Sequence, residues 1–496
     1  MLCSRMASLF RFLVFAFLCA EVVWAEPVLT EFLASNDSIL ADEDGDFSDW
    51  IEIHNLDGVA YDLGAYALTD NTADPSQWTF PAGEMLAPGA FRVVFASNKD
   101  RKVGELHTNF RLGSDGGHVS LTKSGIFVSG YDYPVQSDEQ SFGVSSGGQV
   151  VFFTTPTPGL ANGAGTLAGP MFDSVPSEPV EPFAGPLALS LRPRALNGTV
   201  ASVVVYYRKN FESEVTLSPS GSGGVYSAVI PASAFGLGQM TRWRFEVTDS
   251  NGFVTTSPPF LDPENSPKYF GTVGADPSVE SNLTILQWFI ENPEAAAMRF
   301  NDGERGEPGA VFYRGQFYDN VGFKLHGQTS SQFPKKSYNL DFNKGHRFEW
   351  SPDAPRVSDI DLLTNWADKS KVRHVLAYEV MRESGVAAHF AYTVRVHQNG
   401  EFFSTGDFIE DADETYLERA GLNPEGVLYK AYDMRLNKDL GDVAGFGMQK
   451  KTRKDEDNSD LQSLIDALDL EGADWKITFS TISIYPARLI IWQLFR

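Results

Sequence analysis

From Val28 to about Val151, short apolar runs alternate with clusters of Gly, Pro, Asn and Asp. Trp50-Ile51-Glu52-Ile53, Phe91-Arg92-Val93-Val94-Phe95 and His118-Val119-Ser120-Leu121 read as strands, with turns at Asp57-Gly58, Pro88-Gly89 and Ser114-Asp115-Gly116-Gly117. Many short strands at this spacing predict an antiparallel β-sandwich over residues 26–165. Its end, Thr155-Pro156-Thr157-Pro158-Gly159 followed by Asn162-Gly163-Ala164-Gly165, has no apolar period and reads as a linker open to proteolysis. A second all-β unit is expected over 169–262, with strands at Val203–Tyr207, Val225–Ile230 and Trp243–Val247. Asp249-Ser250-Asn251-Gly252 supplies a hairpin turn, and Ser257-Pro258-Pro259 closes the unit. From about residue 280 to 496 the texture changes to α+β. Strands at Leu283–Ile290 and Ser337–Phe342 alternate with helical segments. Val372, Val375, Leu376, Glu379 and Val380 recur at helical spacing within Lys369–Glu383, and Gly385 is the stop. Asp460–Leu468 is a second amphipathic helix.

The first 25 residues change the address of the chain. Arg5 and Arg11 flank the start of an apolar run, Phe12–Ala20, and Val23-Trp24-Ala25 fits a signal-peptidase site before Glu26. The run is too short for a comfortable membrane span, which takes about 20 apolar residues. A cleaved secretory signal peptide over 1–25 is therefore expected, with a secreted or cell-envelope (periplasmic or extracellular) product and no transmembrane span after cleavage. Cys3 and Cys19, the two cysteines of the chain, leave with it. The mature protein is then expected to lack disulfides, thiolate metal sites and a cysteine nucleophile. Lys plus Arg number 40 against 65 Asp plus Glu, a net charge of −25. That balance argues against nucleic acid as the main partner, since phosphate binding needs a cationic face. It points instead to extracellular or envelope proteins as partners.

Several motifs dissolve on inspection. Gly143-Val144-Ser145-Ser146-Gly147 has the spacing of a nucleophile elbow but lacks the buried strand before it and the helix after it, so it reads as a turn. Asp42-Glu43-Asp44-Gly45-Asp46 looks like half a calcium loop. Phe47 then stands where an EF-hand wants glycine, and Ile53 where it wants the bidentate Glu. A solvated acidic loop is the plainer reading; Asp42, Asp44 and Asp46 stay as Ca²⁺ candidates through some other geometry. The stretch Phe323–Phe342 is more telling. A strand enters the small, hydroxyl-rich turn Gly327-Gln328-Thr329-Ser330-Ser331, and the returning strand opens with Lys335-Lys336. Backbone N–H groups of such a turn can approach phosphate oxygens, and a lysine at the returning strand can add a point charge. An ordinary basic hairpin has the same residues.

The run Gly327-Gln328-Thr329-Ser330-Ser331-Gln332-Phe333-Pro334-Lys335-Lys336-Ser337-Tyr338 resembles the signature of the CotH (spore-coat protein H) family of secreted, atypical protein kinases. Further blocks agree in order: Leu362–Ser370, Glu383-Ser384-Gly385, Val394–Phe403, Gly406–Glu410, Leu428-Tyr429-Lys430-Ala431 and Lys450–Asp457. The resemblance implies ATP and Mg²⁺ as cofactors. Lys336 or Lys335 would hold phosphates with Gly327, Ser330 and Ser331; Glu379 would fix the lysine, and Glu410 would lie near the interlobe connection. Val28–Asn36, Asp49–Asn55 and Pro156–Asn162 resemble the lamin-tail domain, and the middle unit looks like a fibronectin type III sandwich. The implied architecture is two antiparallel β-sandwiches, immunoglobulin-like then fibronectin III-like, followed by an incomplete α+β kinase-like domain. The family's catalytic and metal-binding Asp blocks, resembling D-x-x-x-x-N-[YF]-Y and W-D-x-D, would follow a helix like Ile482–Trp492 and are not found before Arg496. The expectation is a truncated, inactive kinase-like chain in which ATP and Mg²⁺ are not productively bound. Asp407, Glu410, Asp411 and Asp413 are then the first carboxylates to test as substitutes. The rival expectation is a non-catalytic envelope or adhesion protein that binds through its sandwiches.

Overall fold

The computed structural model describes residues 26–298, 305–327, 330–431, 448–468 and 490–493. The signal segment with Cys3 and Cys19, and residues 482–489 of the expected C-terminal helix, lie outside these. Residues 490–493 form a strand that pairs in parallel with Leu428–Ala431, not the end of a helix. The chain divides into two units, one ending at Ala168 and one beginning at Gly169. No helix among the described residues is long and apolar enough to cross a membrane.

The first unit is a sandwich. One sheet runs, in spatial order, Thr166–Leu167, Val150–Phe153, Ser141–Val144, Val28–Leu33, Asp49–His54 and Phe91–Ala96. The other runs Trp78–Thr79, Tyr66–Thr69, Gly117–Lys123 and Ile126–Tyr133. Alternating side chains fill the space between: Phe32, Leu68, Leu121 and Phe142 are fully buried, and the Phe32 ring meets Tyr133 edge-on at 4.7 Å. Gly143–Gly147 is the end of a hairpin, as its composition suggested, with Ser145 Oγ accepting from Gln149 N.

The expected linker is docked. Glu31 and Glu52 face each other across neighbouring strands and are both fully buried. Glu31 accepts from Thr157 N at 3.0 Å and Thr157 Oγ1 at 2.7 Å, and Glu52 accepts from Gly159 N at 2.7 Å. Asn162 Nδ2 donates to the carbonyls of Thr30 and Val144. Residues 157–162 thus form a strap across the sandwich, held by polar rather than apolar contacts. A search for hydrophobic period misses such docking.

In the second unit a four-stranded sheet (Met171–Ser174, Leu187–Arg194, Val225–Ile230, Ser220–Ser222) faces one built on Val200–Lys209 and Met240–Asp249. The turn at 249–252 is present, with Gly252 at φ 87°. The sheet does not close at Pro259: Phe270–Val273 adds a further strand against Met240–Trp243. That strand carries the sandwich into the next layer. Met240 and Val273 share a core with Phe289, Ala310, Phe312 and Phe317. Beside it, buried Arg242 meets buried Asp319 at 3.1 Å, and Asp319 also accepts from the backbone N of Lys268 and Tyr269.

Beyond this junction lies a closed seven-stranded barrel. Its order is Ile285–Ile290, Glu307–Tyr313, Gln316–His326, Ser337–Asp341, Asp359–Leu363, Glu401–Glu410 and Ala391–Gln398, the last closing in parallel on the first. Trp288, Phe323, Tyr338, Leu340, Phe348 and Phe408 pack its interior. Most connections are short, so helices are few. The helix Arg373–Glu383 is inserted between the fifth strand and Ala391–Gln398. It starts at Arg373, not Lys369, because Asp368 accepts from Ser370 N and Arg373 N and holds the preceding turn. The apolar positions at helical spacing do not mark its buried side: Leu376 and Val380 are 52% and 61% exposed.

Candidate functional site

Barrel strands bury alternate residues inside and present the others outward. Tyr338 and Leu340 go in, so Asn339 comes out; Ile360 and Leu362 go in, so Asp359 and Asp361 come out. This outer face, the helix Arg373–Glu383 and the strand Leu428–Ala431 enclose a cavity of about 70 Å³. His326 and Asp361 line it from the barrel, His374, Tyr378 and Met381 from the helix, and Lys430 from the strand. Glu410, Asp411 and Ala412, where the last barrel strand leaves for the next segment, complete the wall.

The carboxylates here are all engaged. His326 Nδ1 lies 3.0 Å from Asp361, and Asn339 Nδ2 donates to the same carboxylate at 3.0 Å. Burial pushes the Asp361 carboxyl up, but the imidazole of His326 and the charge of Lys430 bring it well below the usual range. Burial, with the charges of Asp411 and Asp361, raises Asp359 well above the usual carboxylate range. Arg419 grips Glu410 through two nitrogens at 2.6 Å each, and Phe390 N donates to it at 3.0 Å. Lys451 Nζ meets Asp411 at 2.8 Å. His389 Nδ1 donates to the carbonyl of Glu410 at 2.7 Å, while burial lowers its affinity for a second proton.

Of the residues singled out from sequence, Glu410 and Asp411 stand in this wall. Asp407 is buried nearby, accepting from Thr393 Oγ1 and 3.5 Å from His374 Nδ1. Asp413 caps the short helix Glu414–Arg419 by accepting from Tyr416 N, and burial raises it to about 6. The proposed phosphate lysines lie elsewhere. Lys335 Nζ donates to the carbonyl of Phe403 at 2.5 Å, and Lys336 Nζ to that of Ser331 at 2.6 Å. Ser330–Gln332 is a single 3₁₀ turn. Gly327 sits at φ 89°, where a Cβ would strike Ser330 Oγ, so Gly327 and Ser330 approach closely. Glu379 is exposed and stands outside the set of helix residues that face the cavity.

Asp42, Asp44 and Asp46 do converge, in the first unit, but around an internal cation. Lys99 Nζ lies 2.6, 2.7 and 2.8 Å from their carboxylates, and Arg101 binds Asp44 and Glu43. An ammonium group thus occupies the place a calcium ion would take.

The sequence gives no role to Leu428-Tyr429-Lys430-Ala431 or Lys450-Lys451, nor to His326, Asp361 and His374. A lysine inside an otherwise apolar strand, and Asp-Ile-Asp alternation at 359–361, were the available signals.

The family model described as CotH kinase protein matches residues 323–479, which contain the whole cavity. The Lamin Tail Domain model matches residues 34–134. The chain therefore joins a lamin-tail region to a CotH kinase-like region. No curated protein matches it. Among solved structures, "Crystal structure of Br derivative BhCBM56" is 12% identical, covering 18% of this chain and 82% of that one at a TM-score of 0.14. The sulfane dehydrogenase SoxCD from Paracoccus pantotrophus is 16% identical over 30% of this chain and 40% of its own, at 0.16. A tetra-tandem repeat from the extending region of a large adhesion protein is 11% identical over 64% and 70%, also at 0.16. Scores this low carry no functional argument.

Proposed function

We propose that this is an exported, multidomain protein whose kinase-like region binds Mg²⁺·ATP at the cavity between the barrel, the helix Arg373–Glu383 and Lys430, in the manner of kinases that phosphorylate extracellular or cell-envelope proteins, but with little phosphoryl transfer of its own. The observation that carries the reading is the cavity itself: cationic and imidazole groups converge beside the Glu410–Ala412 connection, inside the segment matched to the CotH kinase family. Bound Mg²⁺·ATP would supply the transferable phosphoryl group; the chain's part is to bind and orient it. Its carboxylates at the cavity are less suited to proton transfer. Asp361 is tied to His326, Glu410 to Arg419 and Asp411 to Lys451, while Asp413 is a helix cap. Among the described residues, no group of three potential metal ligands within reach of one another lies at the cavity. Binding without efficient transfer is the expected behaviour of residues 26–496.

Isothermal titration with Mg²⁺·ATP, alongside transfer of radiolabelled γ-phosphate to the protein and to a generic acceptor, tests this. Saturable binding with little transfer supports the reading. Rapid transfer would mean that one of these tied carboxylates is released to act, and no binding would sink the nucleotide reading.

A further inference from the structure

We infer that the outer side of the helix Arg373–Glu383 is a self-association surface, on which a second copy of this chain seats the same helix running in the opposite direction. The inference is independent of the nucleotide reading, because it uses the side of the helix turned away from the cavity.

Exposure is the first ground. His374, Ala377, Tyr378 and Met381 line the cavity, so the helical period turns Leu376, Glu379, Val380 and Glu383 the other way. None of the 11 helix residues is buried. Val372, Leu376 and Val380 form a row at four-residue spacing and are 38%, 52% and 61% exposed. A helix this short is marginal in water by itself and draws most of its stability from burying an apolar stripe. Here the stripe faces outward. The seated side is held by polar and ring contacts: His374 to Asn365, Arg382 to the carbonyl of His389, and Tyr378 to the His389 ring.

The order of charges is the second ground, and it selects the occupant. Lys369 and Arg373 stand at the start of the helix, and Glu379 and Glu383 on its outer side further along. Lys369, Glu379 and Glu383 are exposed, and Arg373, though 3.4 Å from Asp368, keeps its side chain 77% exposed. Along the chain, Lys369 and Glu383, Val372 and Val380, and Arg373 and Glu379 are each centred on Leu376. Two copies laid antiparallel about a two-fold axis at Leu376 therefore set the apolar row against itself. The cationic start of each helix then runs alongside the anionic end of the other. A parallel copy would place like charges side by side. On a chain of net charge −25 most surfaces repel a second copy, whereas this one is balanced in sign. The docked copy also steadies the helix whose other side gives His374, Tyr378 and Met381 to the cavity.

Sedimentation equilibrium of residues 26–496, a chain without cysteine, tests this. The unsubstituted protein should form a dimer at micromolar concentration. Leu376→Glu, at a half-exposed position, should weaken association by about tenfold or more and leave the melting temperature of the monomer unchanged. Arg373→Glu and Glu379→Arg should each weaken it by about fivefold, and the two together should return it to within about twofold. Leu376→Cys should give a disulfide-linked dimer on mild oxidation, because the two-fold axis brings the two thiols together. A monomer at every concentration would overturn the inference. So would a dimer that Leu376→Glu leaves intact, since the interface would then lie elsewhere. A lowered melting temperature with unchanged association in Leu376→Glu would show the row covered by the same chain, which also overturns it. Failure of the double charge reversal to restore the dimer would rule out the antiparallel order.

Discussion

The lamin-tail sandwich and the kinase-like barrel each bury acidic side chains, and they satisfy them in opposite ways. In the sandwich, Glu31 and Glu52 are cross-strand neighbours, and among the described residues neither forms an ion pair. Their donors are Ser141, Thr30 and the strap at Thr157 and Gly159. In the barrel region, Asp361, Glu410 and Asp411 are matched with His326, Arg419 and Lys451 around a cavity. Hydroxyls and backbone N–H groups can close a polar cluster completely, which fastens a segment. Paired ions beside a void keep a charged surface available to a ligand. Burial of charge alone therefore does not mark a site; what surrounds it does.

This contrast can be broken experimentally. The largest effect should come from Arg419→Ala, which strands buried Glu410 with Phe390 N as a remaining donor. The loss should be about 3 kcal/mol in chemical denaturation of the second unit, with Arg419→Met/Glu410→Met recovering part of it. A loss under about 1 kcal/mol would mean that water reaches Glu410 as readily as it reaches a surface carboxylate.

Next, Glu31→Ala removes the acceptor of Ser141 and Thr157, costing about 2 kcal/mol. Limited proteolysis should then cut within residues 155–165, a region expected to resist cleavage in the unsubstituted protein. Early cutting without the substitution would mean that the strap is not held as described.

Third, burial raises Glu52 to about 7, with the charge of Glu31 adding to the rise. The folded sandwich thus holds this proton more tightly than the unfolded chain does. The associated stability is full below the ordinary carboxylate range and is lost as pH rises through about 7. Thermal unfolding of the first unit from pH 5 to 8 should show a loss on the order of 1 kcal/mol, and Glu52→Gln should flatten it. A flat profile would show that both carboxylates are already ionised in the fold.

The smallest effect concerns the acidic loop. Millimolar Ca²⁺ should leave the melting temperature of the unsubstituted protein unchanged, because Lys99 occupies the cluster. Lys99→Gln should confer a Ca²⁺-dependent rise of a few degrees. Calcium stabilisation in the unsubstituted protein would show that the ammonium is displaced readily.

Much of the architecture was legible along the chain because it is written in local period and turn chemistry. Val225–Ile230 and the Asp249–Gly252 hairpin stand where alternation and Asn-Gly placed them. So does the helix at 459–468. The helix at 373–383 was legible in extent but not in orientation. Its inward face carries His374 and Tyr378 because it looks onto charged groups that come from distant strands. Order within a sheet, and closure of seven strands into a barrel, depend on pairings between segments far apart in sequence, for which local pattern holds no record.

The same division applies to the chemistry. By itself the sequence determined the lamin-tail and CotH kinase resemblances, the acidic balance and the presence of Glu410 in the block that became the cavity wall. Tertiary structure alone decided that Lys335 and Lys336 spend their ammonium groups on backbone carbonyls, that Lys430 reaches the cavity instead, and that Lys99 fills the acidic loop. The reason is physical. Residue type sets which interactions a side chain can make, whereas its actual partner is chosen by distance, and the short distances here join residues tens of positions apart.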